Sequence, residues 1–262
     1  MARVLVHPTA VVDRHAELDE GVEVGPFCVI GPAVRIGAET RLLGHVVVSG
    51  MTTLGRRNVV HPFTTLGGEA QMKKGLRKGV VEGERSLDER RRLVIGDDNV
   101  IRENVTVNVS ALEEATRIGN TNLLMAGSHV AHDVVLGSHC VVANAVQIAG
   151  HCVVEDWVTF GGLAGLAQHV RVGESAFVAA GAMCERDVAP FVIVQGDRAR
   201  VRALNVVGLG RRGVDATSLR ALKAAFAKVY GAGHEPLAVA LASLDRSDPW
   251  VDRFARGLSL HA

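Results

Sequence analysis

The residue types best suited to chemistry are concentrated in one short stretch, Leu123 to Asp133, which has the sequence Leu-Leu-Met-Ala-Gly-Ser-His-Val-Ala-His-Asp. It contains His129, His132 and Asp133. A neutral imidazole can act as a general base near neutral pH, and an adjacent carboxylate can orient the ring and stabilise the imidazolium. Histidine and aspartate are also zinc ligands. The stretch therefore predicts either proton transfer or metal binding, depending on what the fold places beside it.

Around this stretch, an apolar residue recurs at every sixth position. The register runs through Val6, Val12, Leu18, Val24, Ile30, Ile36, Leu42, Val48, Leu54, Val60 and Leu66, returns at Ile95, Ile101 and Val107, and continues from Ile118 to Cys184. Neither a helical period nor a simple alternation explains such spacing. A six-residue repeat is typical of a parallel β-helix, in which each hexad forms one short strand and a corner. Three hexads make one triangular coil, so residues eighteen apart should lie above one another.

Two breaks interrupt the register, at residues 72–94 and 110–116. Because the coils on either side must still stack, we expect each break to leave the prism as a loop. The longer break is rich in both basic and acidic residues. It is either a solvated excursion or a lid over an anionic ligand, since loops on rigid scaffolds often carry function.

The pattern changes from Pro190 onward, which divides the chain into a β-helix at 1–190 and a C-terminal α-helical domain at 191–262. Asp215 is a candidate N-cap for a helix that reaches about Tyr230. The segment between 198 and 212 contains arginines but no acidic residue: Arg198, Arg200, Arg202, Arg211 and Arg212. Like charges without counterions predict either a solvated surface or a docking patch for an acidic partner.

Composition narrows the function classes. The formal net charge of +1 argues against a general nucleic-acid binder. No apolar run is long enough for a signal peptide or a membrane span, so we expect a cytoplasmic protein without stable membrane insertion. The four cysteines fall at inward positions of the register and are expected to be unreactive core thiols.

Stacking by eighteen residues brings polar groups together in two adjacent columns: His132, Gly150 and Gln168, and Asp133, His151 and His169. None of these histidines is at an inward position, so we expect them to line an outer face or groove. A general base, an orienting acid and a free glycine N–H are the parts of an acyl-transfer site. Zinc is an alternative, although the chain lacks the His-x-x-x-x-His pair of β-helical carbonic anhydrases. A third possibility is a non-catalytic hexapeptide scaffold that only trimerises.

Several motifs are spread over nearly the whole chain: Gly-Pro-Phe-Cys at 25–28, Asn-Leu-Leu-Met at 122–125, His-Val-Ala-His-Asp at 129–133, Ala-Gly-His at 149–151, Val-Ile-Val-Gln-Gly at 192–196 and Gly-Arg-Arg-Gly at 210–213. Together they resemble the UDP-N-acetylglucosamine 3-O-acyltransferases of lipid A biosynthesis, a family of hexapeptide-repeat enzymes.

The resemblance implies a left-handed coil, an exception to the usual crossover hand, and a homotrimer with active sites between subunits. It also implies transfer of an (R)-3-hydroxyacyl chain from acyl carrier protein to the 3-hydroxyl of UDP-N-acetylglucosamine, in the cytoplasm of a Gram-negative bacterium. The carrier-protein thioester is a co-substrate, and no metal or other cofactor is expected.

The resemblance also assigns roles by position. His132 would be the general base, Asp133 its orienting partner, and the Gly150 N–H the oxyanion donor. The implied substrate-binding residues are His129, His151, Gln168, Asn205, Arg211 and Lys74. Arg211 and Arg212 would also dock the acidic carrier protein.

This chain departs from the family pattern in its acceptor pocket. The family's Gln-Asp-Leu-Lys-Tyr motif is replaced by Gln-Met-Lys-Lys-Gly at 71–75, with Lys74 in the lysine position. A family histidine is replaced by Asn108, and another by Ala167, with His169 two residues further on. These changes leave open a divergent paralogue that acylates a different UDP-sugar, such as a 3-amino sugar, to give an amide. Acyl-chain length is also open, because the family's chain-length residue aligns with Ala180.

Overall fold

A computed structural model of the chain describes residues 3–71, 91–231 and 236–260. In these residues, short parallel strands stack into sheets that form the three flat faces of a left-handed parallel β-helix. Helices follow at the C-terminal end. The fold class predicted from the six-residue period is therefore confirmed.

The three faces are called A, B and C in the order in which the chain first reaches them. Face A consists of Leu5–Val6, Glu23–Val24, Arg41–Leu42, Val59–Val60, Val100–Ile101, Leu123–Leu124, Val141–Val142, Thr159–Phe160, Phe177–Val178, Val192–Gln195 and Arg200–Leu204. Face B consists of Val11–Val12, Val29–Ile30, Val47–Val48, Thr65–Gly68, Thr106–Asn108, His129–Val130, Gln147–Ile148, Gly165–Leu166 and Met183–Cys184. Face C consists of Glu17–Leu18, Arg35–Ile36, Met51–Leu54, Arg92–Ile95, Ala115–Ile118, Val135–Leu136, Val153–Val154 and Arg171–Val172.

The six-residue period follows from the geometry of these strands. In a two-residue strand one side chain points outward and the next inward, as in Val29, which is exposed, and Ile30, which is buried. Inward residues of the three faces meet in one continuous apolar core. The backbone between strands turns through a left-handed corner, for example at Asp133, with a φ of 60°. Aspartate and histidine tolerate this region better than most residues with a side chain.

The stacking interval is eighteen residues in the regular coils and longer across the two breaks. His129 pairs with Gln147, eighteen residues on, whereas Val60 pairs with Ile101 across the first break and Thr106 pairs with His129 across the second. Both breaks are shorter than predicted. Residues 92–94 and 115–116 belong to four-residue strands. Leu93 and Thr116 are buried two residues before the register positions Ile95 and Ile118, and the six-residue register overlooks them.

The C-terminal segment, predicted as an α-helical domain at 191–262, begins with two strands before its helices. Val192–Gln195 extends face A in parallel with Phe177–Val178, and Arg200–Leu204 returns antiparallel to it. The helices follow as α1 (Val206–Arg211), α2 (Ala216–Tyr230), α3 (Leu237–Ala242) and α4 (Pro249–Leu260). The Asp215 carboxylate accepts hydrogen bonds from the N–H groups of Thr217 and Ser218, so the predicted N-cap of α2 is confirmed.

The four cysteines are buried free thiols. Burial raises the pKa of Cys140 to about 12 and the pKa values of Cys152 and Cys184 to about 11. A thiol that stays protonated is a poor nucleophile. The four cysteines are therefore core residues, as predicted.

Candidate active site

His132 and Asp133 form a buried hydrogen-bonded pair at the corner between faces B and C. The His132 Nδ1 lies 2.7 Å from the Asp133 Oδ2, and the two side chains are 6% and 0% exposed. This contact leaves the His132 Nε2 available to another group. The pair is more deeply buried than expected for residues that line an outer face or groove, because the segment 111–113 lies against Asp133.

The Asp133 carboxylate is surrounded by hydrogen-bond donors. Oδ1 accepts hydrogen bonds from the N–H groups of Ala111, Leu112 and Glu113 at 2.8, 3.1 and 2.9 Å. The Asp133 N–H donates to the Thr116 hydroxyl at 2.8 Å. Burial by itself would raise the pKa of Asp133, but His132 and the three N–H groups together lower it. Asp133 is therefore ionised at neutral pH despite its burial.

Gly150 lies directly beside the imidazole of His132. A Cβ added at Gly150 would lie 2.6 Å from Cε1 and 2.9 Å from Nε2 of that ring. Only glycine leaves room for the ring in this position. Within the described residues the Gly150 N–H donates to no other group, while its carbonyl accepts from the His169 N–H. In the first predicted column, His132 and Gly150 are therefore neighbours, as the eighteen-residue interval predicted.

The second column is present along its whole predicted length. The His151 Nε2 lies 3.6 Å from the Asp133 Oδ2, and its ring meets that of His132 edge-on with centroids 5.1 Å apart. The His151 and His169 rings stack at 4.7 Å. Burial lowers the pKa of His151, and the nearby Asp133 charge partly opposes that effect. Gln168 is exposed beside His169.

His129 is on the outer side of face B, one coil above Thr106. Its Nδ1 lies 2.7 Å from the Thr106 hydroxyl oxygen, and burial lowers its pKa. Asn108 follows in the Thr106 strand and is 6% exposed. In the described part of the chain, the side-chain oxygen of Asn108 has no hydrogen-bond partner. A buried oxygen without a donor is costly unless a ligand supplies one.

Two of the predicted substrate-binding residues lie in the C-terminal segment, away from this cluster. Asn205 is 7% exposed; its Oδ1 accepts the Gly208 N–H at the start of α1, and its Nδ2 donates to the Ser175 carbonyl. Oδ1 thus caps α1 and Nδ2 joins this residue to the Ser175 backbone, while the substrate contact of Asn205 stays a prediction. Arg211 is exposed, and among the described residues no hydrogen bond or ion pair joins it to the histidines. Lys74 lies outside the described residues.

Arg212, which was predicted to dock the carrier protein, is largely buried and has partners within the chain. Its guanidinium forms an ion pair with Glu174, donates to the Ser175 hydroxyl at 2.9 Å, and lies over the rings of Trp157 and Trp250. Its side chain is only 14% exposed. Arg198 also has a partner, Glu185. The prediction of five arginines without counterions is therefore wrong for these two, because their acidic partners lie outside the 198–212 segment in sequence.

A metal ion could find ligand atoms in this cluster. One atom each from His132, Asp133 and His151 lie within 4.8 Å of one another. In the structure, however, the Asp133 Oδ2 is engaged by the His132 Nδ1 and its Oδ1 by backbone N–H groups, so an ion bound to that carboxylate would compete with these hydrogen bonds. These bonds fit a base and its orienting acid better than a zinc ligand set.

Sequence reasoning missed the segment 111–113 and Thr116, which hold Asp133 in place. The backbone of Ala111, Leu112 and Glu113 supplies the contact, so the residue types carry no signal. The one available sign was the break itself, since an insertion next to a polar corner marks a site where the prism is modified.

Comparison with known proteins agrees with this geometry. Residues 115–150 match the family model of the bacterial transferase hexapeptide, and residues 187–259 match that of the second domain of UDP-N-acetylglucosamine O-acyltransferase. The chain is 32% identical to the UDP-N-acetylglucosamine O-acyltransferase of Moraxella catarrhalis, covering 97% of this chain and 96% of that one with a TM-score of 0.88. It is 31% identical to LpxA of Acinetobacter baumannii, with 98% of each chain covered and a TM-score of 0.88. For the Arabidopsis UDP-N-acetylglucosamine acyltransferase the identity is 28%, the coverage 97% and 96%, and the TM-score 0.81.

The fold and the histidine site together define a hexapeptide-repeat acyltransferase. Within that class, the chain belongs to the UDP-N-acetylglucosamine O-acyltransferase family. The resemblance inferred from the motifs is thereby confirmed. Among the described residues, no helix combines the length and the apolar composition needed to cross a bilayer.

Proposed function

We propose that this enzyme transfers an (R)-3-hydroxyacyl group from the thioester of acyl carrier protein to the 3-hydroxyl of UDP-N-acetylglucosamine, the first step of lipid A biosynthesis. The observation that carries the proposal is the His132–Asp133 contact of 2.7 Å beside Gly150. It provides a base, an orienting acid and a free N–H within one corner of the prism. The named substrates of the related enzymes support the choice of acceptor.

In the proposed mechanism, the acceptor hydroxyl donates its hydrogen bond to the His132 Nε2. As the hydroxyl oxygen attacks the thioester carbonyl carbon, Nε2 takes the proton, and Asp133 stabilises the imidazolium through Nδ1. The carbonyl π electrons move to oxygen, and the resulting oxyanion accepts a hydrogen bond from the Gly150 N–H. The intermediate then reforms the carbonyl and expels the thiolate of the carrier, which receives the proton from His132.

The acceptor pocket has a further polar group in Asn108. Its side-chain oxygen is buried and has no partner in the described residues. We infer that a hydroxyl or N–H of the acceptor sugar donates to it. Because either donor suffices, the oxygen is compatible with UDP-N-acetylglucosamine and with its 3-amino analogue.

The active enzyme is proposed to be a cytoplasmic homotrimer in which a neighbouring subunit completes the site. Within one chain, Arg211 does not reach the histidine columns, and Trp157 and Leu163 are exposed at 38% and 67%. A second copy packed along the prism would cover apolar surface and could bring its α1 to the columns. Exposed arginines near α1, namely Arg200, Arg202 and Arg211, would attract the acidic carrier protein.

The decisive experiment is a substrate panel. Purified enzyme is incubated with carrier-protein thioesters of different acyl lengths and with either UDP-N-acetylglucosamine or its 3-amino analogue, and the products are identified by mass spectrometry. An ester product formed preferentially from UDP-N-acetylglucosamine supports the proposal. Preferential amide formation would instead show a divergent acceptor, and transfer to neither sugar would refute the assignment.

A further inference from the structure

The break at 110–114 is closed into a compact loop by Ser110. This fully buried residue accepts a hydrogen bond from the Arg92 N–H at 3.0 Å and donates one from its hydroxyl to the Glu114 carbonyl at 3.4 Å. The bond to Glu114 ties the start of the loop to its end, and the bond from Arg92 ties that start to the strand of the preceding coil. The intervening residues 111–113 are thereby held over the corner that carries Asp133.

The loop directs consecutive N–H groups at a single oxygen. Ala111, Leu112 and Glu113 all donate to the Asp133 Oδ1, with Leu112 also 3.3 Å from Oδ2. Successive N–H groups that converge in this way form a concavity that favours an anion. With Oδ1 occupied, Oδ2 remains as the acceptor that faces His132.

We propose that the segment 110–114 is a positioning loop that holds the Asp133 carboxylate in one rotamer, so that His132 presents Nε2 to the acceptor. The inference rests on the proposed function of His132 as the base. A carboxylate without the loop could rotate and share both oxygens with His132 and His151, whose Nε2 is 3.6 Å from Oδ2. The imidazole would then lose its fixed orientation.

The side chain of Leu112 does not explain the position of the loop. Leu112 is at its tip and is 68% exposed, so its side chain contributes little to the core. Its backbone N–H, in contrast, points at the buried carboxylate. The same N–H groups lower the pKa of Asp133 against the effect of burial. The contribution of Leu112 is therefore its N–H, which can be tested separately from its side chain.

The test compares Leu112→Pro, which removes the N–H, with Leu112→Ala, which retains it and removes only the exposed side chain. We expect kcat of Leu112→Pro to fall about tenfold, with KM for both substrates within about twofold of wild type, because misplacement of a base affects the chemical step. As the pH is lowered, Leu112→Pro should also lose activity at a higher pH than the wild type does, because removal of an N–H donor raises the pKa of Asp133. Leu112→Ala should match wild type in all three measurements.

A second variant guards against a folding defect in Leu112→Pro. Ser110→Ala keeps every N–H but removes the hydroxyl that closes the loop, and it should show the same kcat loss and pH shift to a smaller degree. The low-field NMR resonance of the His132 Nδ1 proton provides a readout that does not depend on turnover, and it should move in both variants. Wild-type kcat and pH profile in a folded Leu112→Pro, or in Ser110→Ala if the former does not fold, would overturn the inference. An active His132→Ala would instead overturn the proposed function.

Discussion

The imidazole of His132 lies against the backbone of Gly150, so closely that a Cβ on Gly150 would come within 2.6 Å of the His132 Cε1. Real Cβ atoms do not approach another heavy atom to that distance, so the ring would have to move. The relationship joins two coils of the prism, because residues 132 and 150 are one coil apart. It explains why the corner above the base carries a glycine.

Gly150→Ala is therefore expected to displace the imidazole while leaving the fold intact. We expect kcat to fall about 100-fold, as a displacement of about 1 Å in a catalytic group can cause. Steady-state kinetics and the melting temperature measure the two effects. Gly162→Ala is the matched control, because Gly162 has the same position in a neighbouring corner and its added Cβ would meet only the Asn144 carbonyl oxygen at 3.5 Å. Equal losses in both variants would contradict the steric explanation.

His132→Ala should lower kcat by roughly two to four orders of magnitude, the usual contribution of a general base. The oligomeric state and the melting temperature should remain close to those of wild type, because the ring is at a corner and not in the apolar core. His139→Ala is the control, since His139 is an exposed corner histidine that stacks on Trp157. A variant that keeps a tenth or more of wild-type kcat would argue against His132 as the base.

Removal of metal ions should leave activity unchanged. His132, Asp133 and His151 could offer ligand atoms, but the proposed mechanism uses the same atoms as base and hydrogen-bond acceptor. The measurement is kcat after dialysis against a chelator, with and without added zinc. Loss of activity on chelation that zinc restores would favour the metal-dependent alternative.

The sequence permitted prediction of contacts within the regular coils. An interval of eighteen residues correctly placed Gly150 beside His132, and it placed His169 on His151. This works because a parallel β-helix turns a fixed interval in sequence into vertical contact.

The same arithmetic fails across an insertion. Thr106 contacts His129 at an interval of twenty-three residues, and loop residues 111–113 have no partner that any fixed interval predicts. Backbone donors such as the Leu112 N–H leave no trace in residue type. The acidic partner of Arg212, Glu174, is likewise distant in sequence. Neither the support of Asp133 nor the burial of Arg212 could therefore be inferred before the structure.

Substitution of the adjacent Arg211 and Arg212 should affect different properties of the enzyme. Arg212→Ala removes an ion pair with Glu174 and contacts with two tryptophan rings, so we expect the free energy of unfolding to fall by roughly 2–4 kcal/mol. Arg211→Ala should leave stability unchanged, raise KM for the carrier protein, and weaken the dependence of that KM on salt. Denaturant unfolding and kinetics at several ionic strengths measure these effects. A carrier-protein KM that is insensitive to Arg211→Ala would contradict the docking role.

The last prediction concerns the dependence of stability on pH. Burial lowers the pKa values of His129 and His151, so near and below pH 6.5 the unfolded chain binds more protons than the folded one. The contribution of these two residues to stability is therefore greatest above about pH 6.5 and decreases as the pH falls through that value towards their lower folded-state pKa values. Asp133 does not account for a loss in this window, because its pKa is lowered from 3.8 and its contribution is lost only in stronger acid.

We expect the unfolding free energy, measured in urea from pH 8 to pH 5, to decrease with falling pH in the wild type. His129→Gln and His151→Gln should each flatten this decrease, because glutamine does not titrate. If the wild type is equally stable at pH 8 and pH 5, or if both variants keep the full slope, burial of these imidazoles does not govern the pH dependence of the fold.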